Sequence, residues 1–216
     1  MENLNEALRE AAKSGNDTQL EALLLNVECS ALNKGLGGID ALMCAAYSGH
    51  TSCLKRLLPV SNPLAKDDDG WTALMWATRN GKPSCVEMLL AVSEVSAVDR
   101  WNINALMWAA RIESDACLKL LIPLSDVCFL ADHGGLTALM WAASSGYTKG
   151  VQCLLPVSDP LVKNSRGETA SDVATEKGHL QLARLIDAYV LAMRELKVFD
   201  SSISRGVATK RASLRV

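Results

Sequence analysis

Apolar residues in this chain come in short blocks, and the blocks themselves recur. Four near-copies stand out: Ala41-Leu-Met-Cys-Ala-Ala46, Ala73-Leu-Met-Trp-Ala-Thr78, Ala105-Leu-Met-Trp-Ala-Ala110 and Ala138-Leu-Met-Trp-Ala-Ala143. Their first alanines are 32, 32 and 33 residues apart. No Gly or Pro interrupts them, so each predicts a short helix, with Thr72 at an N-cap position and Gly81 where a helix closes left-handed. A second helix is predicted from Pro83, where Cys85, Val86, Leu89 and Leu90 form one apolar stripe. Pro59, Pro123 and Pro156 end the equivalent helices elsewhere, because proline cannot continue a helix at low cost. Polar stretches such as Ala65-Lys-Asp-Asp-Asp-Gly70 then turn the chain into the next copy. A period between roughly 20 and 50 residues marks a solenoid, whose units bury their apolar faces against their neighbours. Function is then expected on a continuous surface.

Helix, glycine turn, helix and polar finger at this period resemble the ankyrin repeat. Asp67 to Gly70, Thr72, Leu74, Ala77, Gly81 and Leu89-Leu90 match that family's pattern. The resemblance extends to an entry unit (Ala7-Leu-Arg-Glu-Ala-Ala12, Gly15, Leu23-Leu24) and a closing unit (Gly167-Glu-Thr-Ala-Ser-Asp-Val-Ala174, Gly178-His179, Leu185-Ile186). It implies an all-α solenoid of stacked helix-turn-helix units with finger loops over residues 1–197. The units run over about 3–34, 35–66, 67–98, 99–131, 132–163 and 164–197, followed by a basic, flexible tail over 198–216. Departures matter too. Ala replaces the motif's proline, and Met43, Met75, Met107 and Met140 replace its histidine, so apolar packing must tie the units together. Trp76, Trp108 and Trp141 recur on the helix face shared by neighbours and read as a stacked seam. One unit is irregular. Glu113 stands where the turn glycine belongs, Asn102 replaces the finger glycine and Asn104 the cap threonine.

Composition narrows the function. With 22 basic and 24 acidic residues, neither nucleic acid nor an anionic membrane is implied. No apolar run approaches the ~18–20 residues of a membrane span, and Met1-Glu-Asn-Leu-Asn-Glu6 lacks the character of a signal peptide. A cytoplasmic location is the expectation. Three of the seven cysteines, Cys53, Cys85 and Cys117, repeat with the unit and read as reduced core residues. One unit apart, they cannot converge on one metal. No phosphate-cradling loop, zinc-binding His pair or nucleophile elbow occurs, so neither catalysis nor a cofactor is expected.

The resemblance implies protein binding through the finger tips and the concave face of the first helices. Carried across unit by unit, it gives Ile39, Trp71, Ile103 and Leu136 as an apolar row expected to face solvent. Asp68, Asp69, Arg100, Trp101 and His133 fall at the finger tips, and Tyr47, Arg79, Arg111 and Ile112 at the first-helix ends. An apolar row beside Trp, Tyr and Arg has the composition of a binding patch, with Trp71 and Trp101 as its expected anchors. The acidic fingers point to a partner of basic character, and the unbound chain is expected to be a monomer. Bacterial ankyrin proteins of similar kind include neutralising partners of toxins. Inhibition of a toxin or enzyme is thus one expected role, and a structural adaptor clustering several proteins is the other. In the tail, Lys210-Arg-Ala-Ser213 resembles a phosphate acceptor site, although such short matches are mostly accidental and a nonspecific solvated tail is the favoured reading.

Overall fold

The computed structural model describes the backbone of residues 2–25, 36–126 and 134–213, and side chains within 4–196 of those segments. The repeated blocks become first helices: α1 (Glu2–Ser14), α3 (Ala41–Ser48), α5 (Ala73–Arg79), α7 (Ala105–Arg111), α9 (Ala138–Ser145) and α11 (Ala170–Glu176). Each is followed by a second helix: α2 (Asp17–Leu24), α4 (Thr51–Leu57), α6 (Pro83–Leu90), α8 (Asp115–Leu121), α10 (Thr148–Leu154) and α12 (Leu180–Ser213). First helices pack on first helices in one row, and second helices from α2 to α10 form the other. Among the described residues there is no strand, only an isolated bridge between Val98 and Asn104.

Each first helix is started by one side chain. Asp40, Thr72, Asn104 and Thr137 accept from the backbone N–H of Met43, Met75, Met107 and Met140, at 2.8, 3.3, 3.0 and 3.2 Å. Asn104 therefore caps as well as threonine does, since either oxygen reaches the orphan donor of the first turn. The four methionines are almost wholly buried, filling the seam between units. Cys53, Cys85 and Cys117 are fully buried and free. Burial first, and then its hydrogen bond to Asp17, pushes the Cys53 thiol up to about 12, which makes it an inert core residue. Neighbouring units are also tied by histidine, since the Nε2 atoms of His50 and His179 lie 3.1 and 3.2 Å from the carbonyls of Lys13 and Ser144.

The irregular unit keeps the common geometry. Asn102 and Glu113 adopt φ of 63° and 60°, matching Gly70 at 83° and Gly81 at 61° one unit earlier. The unit accepts left-handed strain of ~1 kcal/mol per residue rather than loosening.

At the carboxyl end α12 runs on as a single helix to Ser213, through the segment expected to form the tail. No proline follows Pro160, and Gly206 is the only glycine within the helix, so no residue strong enough to stop it intervenes. The Lys210–Ser213 match lies on that helix. No described helix is long and apolar enough to cross a membrane.

Candidate functional site

The fingers that open the third and fourth units are each built around one carboxylate, and in the last finger the amide oxygen of Asn164 accepts from Arg166 and Glu168 N–H in the same way. Asp67 accepts from the N–H of Asp69 and Trp71 at 3.0 and 2.8 Å, and Asp99 accepts from those of Trp101 and Ile103 at 2.9 Å each. The second carboxylate oxygen accepts from an indole nine residues on, Trp76 Nε1 at 3.0 Å for Asp67 and Trp108 Nε1 at 3.3 Å for Asp99. Each finger is thereby pinned to the first helix that follows it. Asp132 precedes Trp141 by the same nine residues but, like His133, lies outside the described residues. Backbone bonds also join finger to finger, from Asp68 N to Gly37 O at 3.0 Å and from Arg100 N to Asp69 O at 2.8 Å.

This construction corrects the apolar row. Trp71 and Ile103, expected to face solvent, are 4% and 5% exposed. Their N–H groups are held by the finger aspartate, which turns the side chains inward onto the helix row. Ile39 and Leu136 are half-buried against the same core. Trp71 lies between Trp76 and Trp108, with ring centroids at 4.9 and 4.7 Å, and Tyr47 meets Trp76 edge-on at 5.7 Å. It is thus part of the floor of this face rather than an anchor projecting from it.

What projects is different. Trp101 and Tyr47 are 40% and 44% exposed. The Arg100 guanidinium lies 4.2 Å from the Trp101 ring centre and pairs with Asp69. Ile112 is half-buried at the end of α7. Arg79 and Arg111 are exposed and lie over the tryptophan floor. The Arg79 guanidinium carbon is 4.9 Å from the Trp71 centroid and 5.4 Å from that of Trp108. That of Arg111 is 4.9 and 5.0 Å from Trp108 and Trp141. Both arginines end a first helix, where positive charge also suits the helix dipole.

The acidic fingers, expected to favour a basic partner, are mostly committed elsewhere. Asp67 and Asp99 are buried in their own fingers, and Asp69 pairs with Arg100. Of the described finger aspartates, Asp68 is the one left exposed outside an ion pair. The sequence reading missed both the Asp–Trp pinning and the Arg–Trp stacking. Their signals were present: an Asp-to-Trp spacing of nine, and an arginine three residues after Trp76 and Trp108, hence on the same helical face. Among the described residues no cluster of His, Cys, Asp or Glu could hold a metal ion.

A family model described as "Ankyrin repeats (3 copies)" matches residues 8–99, 91–164 and 106–190. A search of curated proteins finds no sequence match. Solved structures that share the fold include the following two. The ankyrin repeat domain of Bcl-3, described as a unique member of the IkappaB protein family, aligns with a TM-score of 0.75 and 22% identity over 85% of each chain. A chain in the complex of the Bd0816 predatory endopeptidase from Bdellovibrio bacteriovorus with immunity protein Bd3460 aligns with a TM-score of 0.74. That alignment has 28% identity and covers 84% of this chain and 97% of that one. The family match runs through all six helix pairs, so the chain belongs to the ankyrin-repeat family.

Proposed function

We propose that this protein has no chemistry of its own and binds one partner protein through the first-helix face and finger tips, inhibiting that partner. Ankyrin repeats are protein-interaction modules. The observation that carries this reading is the exposure of Tyr47, Arg79 and Arg111 over the cluster of Trp71, Trp76 and Trp108, with Trp101 exposed on a finger. Trp, Tyr and Arg are the side chains that dominate protein-binding hot spots, and Trp and Tyr bury large area at low entropic cost. A rigid floor beneath them reduces the ordering cost of binding further. Support for inhibition comes from the 28% identical neighbour, found in a complex of an endopeptidase with an immunity protein. The unbound protein is a monomer in this reading.

The test is affinity capture from the source cell with wild type and with a Tyr47→Ala/Trp101→Ala/Arg111→Ala variant that still unfolds cooperatively. One protein captured stoichiometrically by the wild type, lost from the variant and inactivated on binding supports the proposal. Equal capture by both places binding elsewhere, and several weakly held proteins that keep their activities would make the protein an adaptor instead.

A further inference from the structure

We infer that the partner segment received by this face is acidic and carries a single apolar anchor side chain. The inference rests on the first-helix face being the binding surface. It follows from the charges and the hollow found there.

Counting six residues on from the first alanine of each unit gives Lys13, Tyr47, Arg79, Arg111, Ser144 and Glu176 as one row across the stack. Its middle holds two arginines in succession. Among the described residues neither Arg79 nor Arg111 lies within ion-pair distance of a carboxylate, whereas Arg56, Arg100 and Arg166 each do. The nearby finger acids Asp67 and Asp99 are engaged instead at the ring edges, where they accept the indole N–H of Trp76 and Trp108. Each guanidinium carbon lies about 5 Å from two tryptophan ring centroids, within cation–π range, while the arginine side chain itself stays exposed. A guanidinium is a planar donor fork that matches a carboxylate. Holding the fork on a rigid aromatic surface removes much of the entropy that an arginine loses on pairing.

Beside Tyr47 the same face opens into a hollow of about 180 Å³, lined by Lys13, Ile39, Met43, Cys44, Tyr47 and Trp76 and almost entirely apolar. An apolar cavity of roughly 150 Å³ accommodates a benzene ring, so this one fits a Leu or Phe side chain. Glu6 and Glu10 lie beyond it, where they share an adjoining hollow with Arg9 and Lys13, so acids and bases balance at that edge. The unbalanced positive charge is that of Arg79 and Arg111.

The fold sets the spacing of the ligand. Packed helices lie ~8–10 Å apart, and an extended chain advances ~3.3–3.6 Å per residue. One unit therefore corresponds to about three ligand residues. The hollow, Arg79 and Arg111 occupy successive units. The recognised segment is thus extended, with an apolar residue followed at steps of about three residues by two carboxylates.

A random-peptide phage library selected on the intact protein tests this, followed by titration of a fluorescein-labelled decapeptide bearing Leu and two Asp at three-residue steps. The expected result is enrichment of acidic peptides with one Leu or Phe. The decapeptide's affinity should fall at least tenfold in both Arg79→Met and Arg111→Met, each of which keeps an apolar cover on the tryptophans. Arg79→Glu/Arg111→Glu should turn the selection toward basic peptides. Acidic peptides that bind these variants as tightly as wild type would overturn the inference. Selected peptides of neutral or basic character that are lost on Tyr47→Glu would sink the acidic assignment while leaving the first-helix face as the binding surface. Selection of no peptide sensitive to any of these substitutions would sink both.

Discussion

The fingers that open the third and fourth units share one backbone and place a tryptophan with opposite outcomes. Asp67-Asp-Asp-Gly-Trp71 and Asp99-Arg-Trp-Asn-Ile103 align residue for residue. Each has a leading aspartate that gathers two backbone N–H groups and one indole, and each has a left-handed fourth residue. The fifth position faces the helix row, so Trp71 is 4% exposed and its counterpart Ile103 5%. The third position faces out, so Trp101 is 40% exposed while Asp69 takes the equivalent place in the finger before it. Position within the finger decides whether a tryptophan stiffens the stack or meets a partner. Residue type does not.

The largest effect should separate the two tryptophans. Trp71→Ala removes a buried ring packed between Trp76 and Trp108 and should cost ~3–5 kcal/mol in urea unfolding. Trp101→Ala should change stability by less than about 0.5 kcal/mol, as surface substitutions do. Equal losses would dissolve the distinction between inward and outward positions.

Next come the aspartates. Asp67→Ala and Asp99→Ala each strand two backbone donors and one indole, at a cost of roughly 1–3 kcal/mol per unpaired buried group. Asp68→Ala removes an exposed side chain with no such role and should be nearly silent. Thermal melts of the three variants check this ranking.

A smaller effect, of opposite sign, is expected where the fourth unit departs from the third. Asn102→Gly or Glu113→Gly relieves a left-handed non-glycine residue and should raise stability by about 1 kcal/mol at most. Destabilisation by either change would show that the side chain makes a contact worth more than its strain.

The smallest effect is a pH dependence of the fourth finger. Burial is the leading influence on Asp99 and raises its carboxyl above the ordinary value of 3.8, against the lowering effect of its hydrogen bonds to Ile103, Trp101 and Trp108. The native state therefore holds this proton more tightly than the unfolded chain does. Ionising Asp99 should lower stability as pH rises from 3.8 through the higher folded value. Relative to Asp99→Asn, the wild type should thus lose urea resistance across that window. A gain there would reverse the assigned cause.

Most of the fold was legible because its signals are periodic. The Ala-Leu-Met stretches, the cap at Thr72 and the turn positions repeat with the unit, whereas the caps made by Asp40 and Asn104 depart from its threonine and came only with the structure. The fingers carry no such period. Five residues of irregular backbone have neither a helical nor an alternating rhythm, so side-chain direction there depends on which N–H the aspartate captures. That is why Trp71 and Ile103 were placed facing solvent. The role of Arg79 and Arg111 was half-visible, since their spacing from Trp76 and Trp108 puts them on one helical face. Their lack of a carboxylate partner needed the whole stack. The length of α12 was hidden for another reason, because a stretch without strong breakers sets no end to a helix.

The central claim, that a partner meets the first-helix face, is tested most directly by site-specific photo-crosslinking in the source cell. Benzoylphenylalanine would replace Tyr47 or Trp101 on that face, and Lys55 or Lys119 on the exposed side of the second helices. The account predicts the same single crosslinked protein from positions 47 and 101 and none from positions 55 and 119. Crosslinks from positions 55 and 119 alone would contradict it and move the binding surface to the opposite side of the stack.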